Sequence, residues 1–320
     1  MDEILTLLVP FFGVIALGYG AGRLRLVAPD GVAALEFFVF TIALPALFFV
    51  LIVATPAPIV SGWAFVATTT FATYCAFAIA FSVGALINGG NVPEATVEGL
   101  AGSYSNTAYL APSLVIAAFG TAAAAPVALI YSFETTMLLI VTPLMMALGG
   151  TVRSNPRKLT EEIARQVALN PAIIATLLGF VALAFGLRLP GPIEGALSFV
   201  GNAAAPGALF LLGIGLSQRT FAPLAIETPI VVAVKLVAHP LIVYLLLSWV
   251  GGFDPVWVNT AILIAALPPA AGVIAIAGRY KVYADRASVA VLLGSVVAVA
   301  TLTFTVILLM GRMLPGDPFR

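Results

Sequence analysis

The chain has 320 residues, 62% of them hydrophobic and only 9% charged, with a mean hydropathy of +1.14. Soluble domains carry about 25% charged residues, so this chain lacks the polar surface to cover a soluble particle and reads as a polytopic membrane protein. Its formal net charge is zero, and no basic or acidic block suggests nucleic acid or a polyanion as partner.

A spanning helix needs about 20 apolar residues. Gly, Pro and charged residues divide the sequence into about ten such stretches, near 4–22, 32–53, 60–87, 94–119, 124–149, 168–187, 192–216, 222–250, 256–278 and 285–310. The expected fold is therefore all-α. The chain opens Met-Asp-Glu with no Lys or Arg before its first apolar run, which argues for a retained helix over a cleaved signal peptide. The second and third helices are separated by 54–59, which holds Pro56 and Pro58. One polar loop stands out, Gly150 to Gln166, with Arg153, Arg157, Lys158, Glu161, Glu162 and Arg165. Its Glu161–Gln166 portion is expected to form a short interfacial helix.

Basic residues in short loops set orientation. With the N-terminus outside, the inner loops collect Arg23, Arg25, Arg153, Arg157, Lys158, Arg165, Arg219, Arg279, Lys281 and Arg286, against Arg188, Arg312 and Arg320 outside. Both termini are expected on the non-cytoplasmic side.

The same punctuation repeats. A shift of 161 overlays Pro10 on Pro171, Gly18 on Gly179, Pro29 on Pro190 and Pro45 on Pro206. The chain then divides into a first five-helix repeat (1–150), a cytoplasmic loop (151–166) and a second five-helix repeat (167–320). Five crossings per half invert the second half relative to the first. Inverted repeats with interrupted helices and a midplane site are the pattern of secondary transporters.

In the fourth helix the stretch Ser103 to Ser113 crowds hydroxyls, an amide and a proline into an apolar segment. Backbone that leaves the helix at membrane depth is tolerated only where protein or a water-filled cavity covers it. A break near Asn106 to Pro112 is expected, with Ser105 and Pro112 among the break residues and Asn106, Thr107 and Tyr109 as candidate contacts for a substrate. Its repeat partner contains Pro268-Pro269, through which a helix cannot pass unbroken. If the two breaks cross, half-helix N-termini meet at a point suited to an anion.

Among the ionisable residues of the apolar stretches, four stand out. Lys235 is central to the eighth helix, and a Lys at that depth costs roughly 2.5–3.5 kcal/mol on insertion scales, so it should face the interior. His239 follows at the helical spacing of four, before Pro240. The pair could hold a carboxylate or carry a proton; alternatively Lys235 forms an ion pair with Glu134 or Glu36 that anchors helices. Glu134 in the fifth helix is open between coupling and pairing, and Glu36 suits a helix end near the inner face.

One His and one Cys give no metal-ligand spacing and no disulfide, and no cofactor is expected. No phosphate-binding Gly loop or Ser/His/Asp arrangement is present, and no loop is long enough for a nucleotide domain, so neither an enzyme nor an ATP-driven pump is expected.

Several stretches together resemble the auxin efflux carrier family, which includes plant PIN-formed proteins and bacterial malonate or malate carriers. They are Phe-Thr-Ile-Ala-Leu-Pro-Ala-Leu-Phe-Phe (40–49), Ser-Asn-Thr-Ala-Tyr-Leu-Ala-Pro (105–112), Asn-Pro-Ala-Ile-Ile-Ala-Thr-Leu-Leu-Gly (170–179), Ala-Ala-Pro-Gly-Ala-Leu-Phe-Leu-Leu-Gly (204–213), Lys-Leu-Val-Ala-His-Pro (235–240) and Ala-Leu-Pro-Pro-Ala-Ala (266–271), with Arg279-Tyr280 beyond. The resemblance implies ten helices in inverted repeats, with the fourth and ninth crossing at the substrate. It also implies a scaffold domain (helices 1, 2, 6, 7) and a transport domain (helices 3–5, 8–10) working as an elevator in the plasma membrane, here a bacterial inner membrane. Asn106 falls on the asparagine of the fourth-helix break, Pro112 and Pro268 on the crossover prolines and Lys235 on the basic position of the eighth helix. The acidic third-helix residue of the plant proteins has no counterpart in 63–81, so the family does not carry over a coupling ion.

The expected function is secondary active transport of a small organic anion, a carboxylate, with H⁺ and Na⁺ as candidate coupling ions and uncoupled transport left open, membrane lipid as surroundings and a homodimer through the scaffold helices as the candidate assembly. A sodium-coupled symporter of the bile-acid type is the alternative within transport. An intramembrane enzyme or a non-transporting receptor is the alternative of another class.

Overall fold

The computed structural model describes residues 2–54, 62–151, 155–218 and 223–311, with side chains for all of these except 2–8, 11 and 12. Regular structure among the described residues is helical throughout. In chain order the helices are α1 (Asp2–Arg23), α2 (Pro29–Phe37), α3 (Leu44–Val53), α4 (Gly62–Ile87), α5 (Val92–Ser103), α6 (Ala111–Phe119), α7 (Ala124–Leu148) and α8 (Pro156–Ala168). There follow α9 (Pro171–Ala184), α10 (Gly191–Gly201), α11 (Ala204–Ser217), α12 (Thr228–Ala233), α13 (His239–Val250), α14 (Pro255–Ala265), α15 (Gly272–Tyr280) and α16 (Ala284–Met310). Among the described residues six continuous stretches are long and apolar enough to cross a membrane, and a seventh if α8 and α9 form one interrupted span. This is a polytopic helical membrane protein.

Proline explains where the long helices deviate. Phe38–Ala43 joins α2 to α3 as a π-helical turn, and Val234–Ala238 joins α12 to α13 in the same way. Each turn ends two residues before a proline, Pro45 and Pro240. A proline removes an amide donor and crowds the preceding turn, and widening the helix to π geometry re-registers the freed carbonyls. The amides of Leu44 and His239 bond back five residues, to Val39 and Val234. Pro206 interrupts the seventh stretch instead, at Asn202–Ala203 between α10 and α11. The expected interfacial helix is longer than the sequence suggests: α8 runs over 156–168, with Leu159 and Ile163 half-buried and its charged residues exposed.

The chain forms two compact units. The first comprises Met1–Pro58, Thr107–Ser132 and Ala168–Arg219, the second Ile59–Asn106, Phe133–Val167 and Thr220–Arg320.

In the first unit α1 packs on α11 and α3 on α9. Contact between α1 and α11 reaches the backbone, as small residues permit in membranes. A Cβ on Gly213 would sit 2.1 Å from the Ile15 carbonyl oxygen and 2.7 Å from the Tyr19 nitrogen. Backbone atoms cannot yield as a flexible side chain can, so Gly213→Ala is expected to force the helices apart at a cost of about 1–3 kcal/mol. Gly215→Ala, two residues on in open space, is the control. Thermal unfolding followed by circular dichroism should show a lower midpoint for the first variant only.

In the second unit α4 packs along α5 and α13, and α12 lies on α16. Its core is built from Phe77, Val97, Leu100, Met137, Met146, Val273 and Val291, all buried. Trp63, Trp249 and Trp257 all belong to this unit, near the start of α4, the end of α13 and the start of α14. Phe65 stacks edge-on against Trp257 and Phe253 at the same end. Such an aromatic belt marks a membrane–water boundary, and these are the segments that the basic-residue count puts outside.

Candidate functional site

Two helix interruptions meet in the second unit. α5 ends at Ser103, and α14 ends at Ala265, with six residues between it and α15. Asn91 caps α5 by accepting from the Glu94 amide, and Asp254 caps α14 by accepting from Val256. Beyond the helix ends the two strips pair as a short antiparallel ribbon. The Asn106 amide donates to the Pro268 carbonyl at 2.9 Å and the Ala270 amide to the Tyr104 carbonyl at 3.0 Å, with Ser105 opposite Pro269. Ser105 and Pro269 occupy the pair that exchanges no bonds between them, so the missing N–H of Pro269 costs nothing. Pro268 and Pro269 are buried. α16 can pass over the ribbon because residue 294 is glycine: a Cβ there would lie 2.5 Å from Pro269 Cδ.

Lys235 ties this ribbon to the eighth-helix stretch. Its side chain has no solvent exposure. Nζ donates to Ser105 Oγ at 3.0 Å, to His239 Nδ1 at 3.3 Å and to the Ala265 carbonyl. An ammonium has three protons and accepts nothing, so all three are used. With Lys235 charged, Nζ can only donate, which makes His239 Nδ1 the acceptor and puts the imidazole proton on Nε2. From there it donates to Thr73 Oγ1, 3.3 Å away, and Thr73 passes its own proton to the Thr69 carbonyl. The π turn sets Lys235 and His239 side by side on this face.

Asn106 differs. It is 1% exposed, and neither Oδ1 nor Nδ2 has a hydrogen-bond partner in the protein. Buried side-chain amides are nearly always paired. Asn106 thus holds a donor and an acceptor that the protein leaves unused, one residue from the Ser105 that bonds Lys235.

Of the residues singled out in the sequence, the second unit brings together Ser105, Asn106, Lys235, His239, Pro268 and Pro269. Glu134 is also buried there, at 5% exposure, and acts electrostatically on Lys235. Thr107, Tyr109 and Pro112 belong to the first unit. Thr107 is buried, Tyr109 meets Phe40 edge-on with ring centroids 4.9 Å apart, and Pro112 lies in the first turn of α6. Glu36 is exposed on α2 in that same unit. Thr73, which fixes the His239 tautomer, was missed by sequence reasoning; the cluster Thr68-Thr69-Thr70 and Thr73 in an apolar helix was its signal.

A family model described as "Membrane transport protein" matches residues 3–306. This chain belongs to that family. It is the auxin efflux carrier family indicated by the motifs, and it makes the protein a transporter and not an enzyme. Over 319 residues the transporter is 39% identical to a protein of Rhizobium meliloti (strain 1021) described as "Putative malonate transporter", each chain being covered over 100% of its length. The match is collinear, so the transporter's breaks and its Lys235 stretch fall within it.

Proposed function

We propose that this transporter moves a small organic anion of the carboxylate class across the plasma membrane, with Asn106 as the direct contact. The observation that carries the reading is the pair of unpartnered amide atoms on Asn106, one residue from a serine that already takes one of Lys235's protons. Nδ2 suits a carboxylate oxygen and Oδ1 a hydroxyl or protonated acid. Lys235 supplies positive potential while its protons stay with the protein, and His239 positions it. The start of α15 adds the positive end of a helix dipole. The malonate-named relative is consistent with this charge and size.

The finer architecture belongs to the same proposal: ten spans in two inverted repeats, with the fourth and ninth interrupted. Exchange of the two halves supports it. The shift of 161 turns the α1–α11 contact of Gly18 with Gly213 into that of Gly179 with Ile52, and a Cβ on Gly179 would lie 3.1 Å from Ile52 Cβ. It also turns the pairing of α4 with α5 into that of α13 with α14, both of which occur. The division into two units suits an elevator mechanism, and a homodimer would form through helices 1, 2, 6 and 7. Sidedness draws support from Glu162, Arg279, Asn88, Glu227 and Arg286, all from segments read as cytoplasmic, which bond among themselves. Both termini would then lie outside.

Purified protein in proteoliposomes should take up labelled malonate saturably, with competition by other small carboxylates and none by amines or sugars. Imposed sodium and pH gradients separate the coupling modes. Thr107→Val and Tyr109→Phe test whether the rest of the polar stretch takes part. Absence of carboxylate binding and flux in folded protein would overturn the reading.

A further inference from the structure

A second buried polar cluster lies in the second unit, outside the site just described. Glu98, two turns into α5, is 1% exposed, and Glu227, just before α12, is 2% exposed. Asn88 at the end of α4 donates from Nδ2 to Glu98 Oε1 at 2.7 Å. The Tyr283 hydroxyl donates to Glu227 Oε1 at 2.5 Å and also faces the Glu98 carboxyl. Arg286 reaches Glu227 Oε1 at 3.0 Å and Asn88 Oδ1 at 3.4 Å. Glu98 Oε2 is buried without any partner.

We propose that Glu98, Tyr283 and Glu227 form a proton-binding site, in which one proton is held between the two carboxyl groups through the tyrosine hydroxyl.

Charge counting favours the proton. Two carboxylates face one guanidinium, and Arg286 bonds Glu227, leaving Glu98 with neutral partners only, the Asn88 amide and the Tyr283 hydroxyl. An ionised Glu98 would be a buried charge with no counter-ion and an orphaned oxygen, next to a second carboxylate, an arrangement strongly disfavoured in a protein interior. Half-buried Glu94, one turn back on α5, adds further negative potential. With a proton on Glu98 the cluster is satisfied: the carboxyl O–H donates to Tyr283 Oη, the tyrosine donates to Glu227, and Glu227 keeps its guanidinium. Burial and the bond to Glu227 push the Tyr283 phenol up, so the tyrosine relays a proton without losing its own. Available space points the same way. A Cβ on Gly84 would fall 1.8 Å from Glu98 Oε2, so α4 lies directly against the carboxyl and leaves no room for a hydrated cation.

The cluster ties the end of α4 and the starts of α5, α12 and α16, all segments read as cytoplasmic. Losing the proton puts two like charges across Tyr283 and loosens that end. If the transport reading holds, flux follows cytoplasmic pH through this site.

The test uses purified protein in lipid nanodiscs. Infrared spectra should contain the carbonyl band of a neutral carboxylic acid that disappears as pH rises, and Glu98→Gln should remove it. Wild-type thermal stability should fall across the same pH interval and become flat in Glu98→Gln. Tyr283→Phe, which keeps the ring but breaks the relay, should shift the titration to lower pH. A band and a pH profile unchanged by Glu98→Gln would overturn the proposal. So would sodium substituting for protons, seen as stabilisation at high pH in wild type and not in Glu98→Gln. Neither readout needs a substrate. A failed uptake assay with an intact titration would count against the carboxylate reading alone.

Discussion

Asn106→Ala is expected to abolish carboxylate uptake while leaving the protein as stable as wild type or more so. Most substitutions of buried residues destabilise, which makes this sign informative. A buried polar atom without a partner costs about 1–3 kcal/mol, and Asn106 carries two. Alanine removes that cost and gives back a small cavity, so the two changes largely offset. Binding changes in the other direction. Hydrogen bonds to a charged group contribute about 1.5–3 kcal/mol, so losing them should weaken the carboxylate roughly 10- to 100-fold. Asn106→Asp sets a like charge against the anion and should be no better. Uptake and melting can be measured on one preparation, using a thiol-reactive dye on Cys75, the single cysteine. A melting point several degrees lower with normal uptake would mean that the amide serves the fold, and the site would have to be sought elsewhere.

Interruptions that cost the helix something were visible in the sequence. Adjacent prolines at 268–269 and the polar run from Ser103 announced both breaks, because each removes or competes for backbone hydrogen bonds. The ribbon joining them was not visible, since antiparallel pairing of three residues leaves no periodicity to read. The π turns before Pro45 and Pro240 were missed for a related reason. Proline says that a helix must deform, and tertiary packing decides whether it widens, as at 38–43, or breaks, as at 202–203. At the site, Lys235 and Asn106 stood out as residues too polar for their surroundings. Their different roles depended on counting partners: Lys235 has three acceptors, Asn106 none, and no sequence carries that information. Glu98 was passed over because it lies two turns from a helix start, where an acid is ordinary. Its signal was the small residues around it, Ala95, Gly99 and Gly102, which mark a helix face held close to its neighbour.

Lys235→Met should lose both stability and transport, and the two losses can be separated. The substitution strips the donor from Ser105 Oγ, His239 Nδ1 and the Ala265 carbonyl, and removes the cation on which Glu134 acts. Removing one member of a buried charge pair costs on the order of 3–5 kcal/mol, chiefly because the other is left uncompensated, which should lower the melting point by roughly 10 °C. If that accounting is right, Glu134→Gln added to Lys235→Met restores part of the stability, and the double-mutant cycle returns a favourable coupling between the two sites. Transport should stay absent in the double variant, because neutralising the acid does not return positive potential to the substrate. Lys235→Arg keeps the charge but replaces a three-way donor with a planar fork that cannot address three acceptors around one point; both properties should fall between wild type and Lys235→Met. Uptake that recovers together with stability in the double variant would make Lys235 a tie between helices and nothing more. Asn106 would then have to hold the anion without a buried cation beside it, and the helix dipole of α15 would be the remaining source of positive potential in this unit's ribbon.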